Sequence, residues 1–225
     1  MRRALSGLCM VALLAGLFGG VSARAATEYS VADGLSQNSV LAMVRDAEGF
    51  IWLGTEDGLN RFDGYEFRVH RPSDALPSGA PADYVRDLAI ADPYLFLATN
   101  GGGLVVFDRR NGRYRQFDRA QGLLSDHLTA VELAGEGQLY LASRGGLERL
   151  RWQGDPMQAR FEVQVLGASG MGEREFWELY AGPSGIWAGS GDALLRIDTN
   201  GELLPFDVAG STAPFNTDAL LESPA

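Results

Sequence analysis

Residues 34–63 read GLSQNSVLAMVRDAEGFIWLGTEDGLNRFD, a stretch in which short apolar runs alternate with turn residues. The runs from Val40 to Arg45, from Phe50 to Thr55 and from Leu59 to Phe62 have the length and composition of strands. Asp63-Gly64 follows them, and because Asp-Gly between apolar runs favours a tight hairpin, a fourth strand is predicted from Tyr65 to His70. The stretch therefore predicts one antiparallel unit of four short strands.

The same unit recurs along the chain. Its clearest marker is an aromatic residue followed by an apolar, a small and a hydroxyl residue. The four aromatic residues are 44, 44 and 47 positions apart and are Trp52, Phe96, Tyr140 and Trp187. Because they recur at one position of a strand, we expect them to pack between neighbouring units rather than to stack on a sugar.

Repeats of four strands in about 40 to 45 residues are typical of β-propeller blades. We therefore predict an all-β protein, a β-propeller of four-stranded antiparallel blades, with about four and a half blades present. A β-sandwich or barrel is the alternative, but it does not require a repeat of this length. The predicted segments are blades at 38–70, 82–117, 126–165 and 175–207, the start of a fifth blade at 216–222, and a lone outer strand at 27–31.

The first 25 residues are predicted to be a secretory signal peptide. They comprise a cationic start at residues 1–3, an apolar run that ends at Val21, and small residues around Arg24, so that cleavage is expected after Ala25. An uncleaved membrane anchor is the alternative. Cys9 is the single cysteine and lies in this segment, so the exported, periplasmic protein is expected to have no disulfide bond.

The remaining composition is that of a soluble globular protein, with 46% hydrophobic and 21% charged residues. All 19 cationic residues are arginines, and the formal net charge is -10. We expect no nucleic acid as a partner, because binding a phosphate backbone requires clustered cations on the protein. No cofactor is expected, since the sequence contains no cofactor-binding motif.

The ligand-binding candidates are polar residues on one face of the predicted propeller. Because neighbouring strands are antiparallel, the loop that leads into the first strand of a blade and the loop between its second and third strands emerge on the same face. Loops held by a rigid scaffold often carry function. The candidates are Gln37, Asn38, Glu56, Asp57, Asn100, Asp126, His127, Arg144 and Asp192. For each of them, a turn-forming role is the alternative.

No catalytic residue and no metal ligand is predicted. Asp46-Ala47-Glu48-Gly49 carries two carboxylates, but it lacks the ligand series of a calcium loop and is interpreted as a plain β-turn. His70 and His127 belong to different units, and neither has partners at the spacing of a zinc site.

The stretch quoted first closely resembles the repeat of the two-component regulator propeller family. The resemblance is carried by Gly34-Leu35-Ser36, Asn38, Asp46, Ile51 to Thr55 and Gly58 to Asp63. In that family the repeats form the periplasmic sensor of hybrid histidine kinases and diguanylate cyclases, often as two seven-bladed propellers followed by a β-sandwich domain, one transmembrane helix and a cytoplasmic output domain. The resemblance implies a truncated seven-bladed propeller. It also implies that carbohydrates are the first class of ligand to test.

These observations favour a sensor propeller at the N-terminus of a transmembrane receptor. The expected partners are an unknown ligand, the remaining blades and output domains of a longer receptor, and a second copy in a homodimer, because unpaired sheet edges favour association. Two further hypotheses remain open, a secreted carbohydrate-active propeller enzyme and a protein-interaction scaffold.

Overall fold

The computed structural model describes residues 27–76, 81–167, 175–191, 193–198 and 200–206. The predicted signal peptide at 1–25, the predicted start of a fifth blade at 216–222 and the candidate residue Asp192 lie outside these residues.

The described residues form four sheets of four strands each. Blades 1 and 2 contain β1 (Val40–Arg45), β2 (Ile51–Thr55), β3 (Gly58–Phe62), β4 (Phe67–His70), β5 (Val85–Ala91), β6 (Tyr94–Thr99), β7 (Gly103–Asp108) and β8 (Arg113–Phe117). Blades 3 and 4 contain β9 (Leu128–Leu133), β10 (Gln138–Ser143), β11 (Gly146–Arg151), β12 (Glu162–Leu166), β13 (Phe176–Gly182), β14 (Gly185–Ser190), β15 (Leu194–Ile197) and β16 (Leu203–Phe206). One turn of helix, α1 (Pro72–Ala75), follows β4.

Every sheet is antiparallel, and its strands pair in the order in which they occur along the chain. The first strands of successive blades lie side by side, with β1 next to β5, β5 next to β9 and β9 next to β13. This arrangement confirms the predicted all-β propeller of four-stranded antiparallel blades. Within the described ranges, no helix is long and apolar enough to cross a membrane.

The hydrophobic core lies between the blades. One cluster joins Trp52 and Leu59 of blade 1 to Leu88, Leu95 and Phe107 of blade 2. Two further clusters join blade 2 to blade 3 and blade 3 to blade 4 in the same manner. A single four-stranded sheet cannot bury its own apolar face, so each blade depends on its neighbour for a core.

Two features of the aromatic marker permit this packing. Trp52, Phe96 and Tyr140 are buried and belong to the three clusters, which confirms their predicted place between blades. Trp187 is half-buried instead, and its ring packs against Phe206 of its own blade. The small residue two positions later allows the next blade to approach closely. A Cβ atom on Gly54 would lie only 2.8 Å from Cγ1 of Val85 and 3.0 Å from its carbonyl oxygen.

The strand expected at 27–31 is not formed. Residues 27–30 are assigned to no strand, and Val31–Asp33 is a 3-10 turn capped by the side chain of Ser30. An outer strand requires a sheet edge, and in the described part of the chain none pairs with these residues. Instead, the ring of Tyr29 packs edge-on against Phe62, with 4.9 Å between ring centroids.

The close approach of blades 1 and 2 predicts a position-specific cost of adding one methyl group. We expect Gly54→Ala to lower the free energy of unfolding by about 2 kcal/mol, because the new Cβ overlaps Val85. Gly191→Ala is the matched control, since its Cβ would meet no atom within 4 Å and neither glycine has a left-handed φ. Urea unfolding of both variants checks this, and equal effects would contradict it.

Candidate functional site

The upper face is the face with the loops that lead into each first strand and those that join each second and third strand. Three of the predicted residues occupy equivalent places on it: Glu56 follows β2, Asn100 follows β6 and Arg144 follows β10. They are 44 residues apart. In each case the side chain contacts a residue at the beginning of the next blade.

The contact between blades 1 and 2 is a small hydrogen-bond network around Glu56. The amide of Gln37 donates to Oε2 of Glu56 at 3.2 Å, and the hydroxyl of Tyr84 donates to Oε1 at 3.3 Å. Tyr84 directly precedes β5, so the network spans the blade boundary. The structure thus brings together the predicted residues Gln37 and Glu56.

The next two blade boundaries carry one polar pair each. Nδ1 of His127 lies 2.8 Å from Oδ1 of Asn100, and the two residues also form an isolated β-bridge. Nε of Arg144 lies 3.4 Å from Oε1 of Glu175, and both side chains are exposed. Asn100 and His127 are therefore also brought together, whereas Arg144 pairs with a residue that sequence reasoning did not single out.

Asn38 and Asp126 hold loop backbone. Oδ1 of Asn38 accepts a hydrogen bond of 2.8 Å from the N–H of Val31, and Oδ1 of Asp126 accepts one of 2.7 Å from the N–H of Arg119. Val31 and Arg119 each begin a 3-10 turn. Asn38 and Asp126 thus both stabilise a turn, which is the alternative role that the sequence analysis gave for them.

Asp57 belongs to an ion pair within blade 1 instead of a cluster. Its carboxylate accepts two hydrogen bonds from Arg71, the shorter of 2.7 Å. This hydrogen bonding lowers the pKa of Asp57 below its usual value. Ligand contact by the upper-face candidates stays a prediction, and a ligand would have to compete with the pairs described above.

A buried carboxylate lies beneath the upper face in blade 3. Glu148 is fully buried, and its Oε1 accepts a hydrogen bond of 2.9 Å from the N–H of Leu124. Oε2 has no hydrogen-bond partner within the described ranges. Burial raises the pKa of Glu148 to about 7. In blade 1 the equivalent residue is Asn60, a neutral amide that accepts from the N–H of Ser36 at 2.9 Å.

Two more carboxylates with raised pKa values lie on first strands. Burial raises the pKa of Asp87 to about 6, although its carboxylate accepts a hydrogen bond of 2.8 Å from the N–H of Val131 in blade 3. Burial and the nearby charge of Asp87 raise the pKa of Glu132 to about 7. The raised pKa values of both groups predict that the stability of the fold depends on pH near neutrality.

The lower face, on which the remaining loops emerge, carries two clefts that sequence reasoning missed. One has a volume of about 650 Å³ and is lined within blade 3 by residues that include Arg151, Trp152 and Arg160. The other has a volume of about 350 Å³ and lies between blades 1 and 2. We call the second the inter-blade cleft; its lining residues are Glu48, Phe50, Trp52, Arg61, Arg68, His70, Pro93, Phe107, Arg109, Arg110 and Gly112.

Arg109 closes one side of the inter-blade cleft and ties the two blades together. Its Nη1 lies 2.7 Å from Oδ2 of Asp46 and 2.9 Å from Oε2 of Glu48, and its Nη2 bonds to Asp92. Asp46 also accepts hydrogen bonds of 2.8 Å from the indole N–H of Trp52 and from the N–H of Phe50. The segment 46–49 is thus a turn, as predicted, and its carboxylates serve an ion-pair network.

Comparison with known proteins supports the repeat and the fold. Residues 34–57 match the family model described as "Two component regulator propeller", which confirms the resemblance seen in the sequence. A 43-residue segment is 49% identical to Histidine kinase P4 of Formosa agariphila, and it covers 19% of this chain and 3% of that protein.

Two solved structures share the propeller fold at low sequence identity. The extracellular domain of the hybrid two component system BT3049 of B. thetaiotaomicron aligns with a TM-score of 0.63 and 21% identity, over 82% of this chain and 26% of that one. Streptogramin B lyase aligns with a TM-score of 0.60 and 11% identity, over 80% and 58% of the two chains. This chain therefore spans a small part of the signalling proteins that it resembles.

The ion-pair network predicts different costs for its two blade 1 carboxylates. Asp46→Asn should lower the free energy of unfolding by about 3 kcal/mol, because the side chain is fully buried and Arg109 would lose its buried partner. Glu48→Gln should cost less than about 1 kcal/mol, because 58% of that side chain is exposed. Chemical denaturation measures both, and a larger cost for Glu48→Gln would contradict the assignment.

The buried carboxylates predict that stability increases as the pH falls from 8 to about 5.5. A carboxyl whose pKa is raised on folding binds its proton more tightly in the folded state, so its stabilising effect is full below the unfolded pKa of about 4.3 and is lost as the pH rises through about 7. Glu148→Gln should therefore raise the free energy of unfolding at pH 8 by about 2 kcal/mol and weaken the pH dependence.

Denaturation curves across this pH range provide the measurement. Glu136→Gln is the control, because Glu136 is exposed and its replacement removes one carboxylate from the surface while leaving the buried carboxylates in place. A wild-type profile without a slope between pH 5.5 and 8 would show that these carboxylates are not held in the protonated form.

Proposed function

We propose that this chain is the N-terminal, periplasmic, ligand-sensing propeller region of a transmembrane signalling receptor, either a two-component sensor histidine kinase or a diguanylate cyclase. The observation that carries this proposal is the match of residues 34–57 to the two component regulator propeller model. The 43-residue identity to a histidine kinase supports the same assignment. The chain itself is proposed to bind and to carry no catalytic chemistry.

The organisation of the upper face supports a binding role. Glu56, Asn100 and Arg144 occupy one structural position but differ in charge and in hydrogen-bonding capacity. The blade scaffold is thus repeated, while the groups that it presents vary from blade to blade. Such variation on a constant scaffold is typical of surfaces that recognise a ligand. A carbohydrate, rich in hydroxyl groups, is the proposed ligand class for this face.

An enzyme on the same fold is the alternative from another functional class. Streptogramin B lyase shares the propeller at 11% identity, and a fold of this kind accommodates both catalysis and binding. The sequence matches support the sensor, because the matched model is described as a two component regulator propeller and the 43-residue match is to a histidine kinase.

The proposed location follows from the N-terminal sequence. The cationic start, the apolar run and the small residues before Ala26 are the parts of a secretory signal, and we propose cleavage after Ala25. The propeller would then lie in the periplasm, and the complete receptor would be anchored in the inner membrane.

The location is tested by fusing β-lactamase to the C-terminus of the chain. We expect ampicillin resistance from the fusion, a mature N-terminus at Ala26 by mass spectrometry, and loss of resistance when residues 2–25 are deleted. Resistance that persists after this deletion would contradict export by the N-terminal segment.

The receptor role is tested by the coding sequence that follows codon 225. We expect further blades, then a hydrophobic stretch of about 20 residues, and then a kinase or cyclase domain. A stop codon directly after additional blades would contradict a transmembrane receptor and would favour a secreted protein.

A further inference from the structure

The inter-blade cleft contains two arginines that form no ion pair among the described residues. Arg61 lies on β3 and Arg68 lies directly opposite it on β4. Within the described residues, neither forms an ion pair, whereas Arg109 and Arg110 at the same cleft are both paired with carboxylates. Nε of Arg61 is buried without a hydrogen-bond partner in the described structure. Arg61 and Arg68 are therefore two cations without an ion pair among the described residues, beside an Arg109 and an Arg110 that Asp46, Glu48, Asp92 and Asp108 neutralise.

The repeat provides an internal comparison for Arg61. In blade 3 the equivalent residue is Arg149, and its cross-strand neighbour is Gln164. Arg149 donates a hydrogen bond to the side-chain oxygen of Gln164 and another of 3.5 Å to the carbonyl of Asn200. In blade 1 a second cation takes the place of this acceptor.

The same comparison applies to Arg68. Its equivalent in blade 2 is Arg115, which lies opposite the apolar Val106. Nη1 of Arg115 donates to the carbonyls of Pro156 and Ala159 in blade 3, at 2.6 and 2.7 Å. Of the four described blades, only blade 1 sets two cations opposite each other at this position. Like charges in a directly opposed pair destabilise a sheet, so an anion between them would relieve a cost.

The inner wall of the cleft is aromatic. Phe50 lies beneath the guanidinium of Arg61, with 4.4 Å from Cζ to the ring centroid. The ring of His70 lies 5.6 Å from that of Trp52 and 5.3 Å from that of Phe107. Nε2 of His70 is buried and has no hydrogen-bond partner among the described residues.

His70 lies within the electrostatic reach of both arginines. Burial lowers its pKa, and the positive charges of Arg61 and Arg68 lower it further. The lowered pKa keeps the ring neutral at pH 7. An anion held between the two arginines would offset part of their effect on the pKa of His70.

We propose that the inter-blade cleft binds a small organic carboxylate with an apolar or aromatic body. Arg61 and Arg68 would hold the carboxylate, since a guanidinium matches its planar geometry with two parallel hydrogen bonds. The half-buried Phe50 would contact the apolar body, at the edge of the wall to which the buried Trp52 and Phe107 contribute. The volume of about 350 Å³ is near the lower end of the range for small-molecule sites, which suits a ligand of one ring.

The inference deepens the proposed sensing role and rests on it only for its biological purpose. It adds a second site, of different ligand chemistry, on the face opposite the predicted residues. Binding in the cleft is measured directly on the purified chain, whereas the receptor role is tested by export and by the downstream coding sequence. Either proposal can thus fail while the other stands.

The experiment follows the histidine ring resonances by NMR during titration with benzoate. The chain has two histidines, of which His70 lines the cleft and His127 lies on the upper face. Benzoate should shift the His70 signal and raise its pKa, while the His127 signal should not move. Benzamide, a neutral molecule of the same shape, and inorganic sulfate, an anion without an apolar body, should bind at least about tenfold more weakly.

Substitutions identify the groups that hold the carboxylate. Arg68→Gln should weaken benzoate binding by about tenfold, the change expected when a hydrogen bond to a charged group is lost. Arg61→Gln should act in the same direction, and Arg68→Gln remains informative if the more buried Arg61 variant fails to fold. Arg113→Gln is the control, because Arg113 is an exposed arginine near the cleft but does not line it.

Four results would overturn the proposal. They are equal binding of benzamide and benzoate, equal binding of sulfate and benzoate, wild-type affinity in both Arg68→Gln and Arg61→Gln, and no His70 shift at about 10 mM benzoate, a concentration that exceeds a millimolar Kd.

Discussion

The close contact between the second strand of one blade and the first strand of the next is the interaction on which the structure depends. The blades share their apolar cores, and the small residue after each marker aromatic sets how near they come. Gly54 in blade 1 and the fully buried Ala98 and Ala142 in blades 2 and 3 occupy this position. A larger side chain there would separate two sheets and open the core between them, so the sequence is most restricted at the blade boundaries.

Polar residues lie at the upper and lower ends of the contacts between blades, and their roles differ between the two faces. On the upper face they join blades, as in the network of Gln37, Glu56 and Tyr84 and in the pair of Asn100 and His127. These contacts are exposed and each is weak, which leaves the side chains available for exchange with a ligand. On the lower face, Arg109 forms a more buried link between blades 1 and 2, and this link frames the inter-blade cleft.

The strands were predictable because each is bounded by a turn whose residues act locally. Asp46 to Gly49 and Asp63-Gly64 specify their turns irrespective of the rest of the chain. Residues 27–31 were not predictable in this way, because a strand at that place needs a partner edge and the sequence pattern alone does not supply one. In the described part of the chain the candidate loops emerge on one face, but the pairing of Arg144 with Glu175 depends on how two blades meet, which the spacing of the repeat does not encode.

The inter-blade cleft was not predicted from the sequence, because it depends on which residues face each other on neighbouring strands. Arg61 belongs to the repeated motif, and the sequence does not distinguish it from Arg149 at the same position of blade 3. The difference is the residue on the neighbouring strand, which is Arg68 opposite Arg61 and Gln164 opposite Arg149. In a repeat protein, residues that recur in every repeat serve the scaffold. A residue that departs from the repeat and destabilises the fold indicates a function such as binding. Two opposed cations above an aromatic floor are such a departure. The comparison among blades therefore separates Arg149, whose guanidinium donates to Gln164 and to the carbonyl of Asn200, from Arg61 and Arg68, for which we propose a binding role.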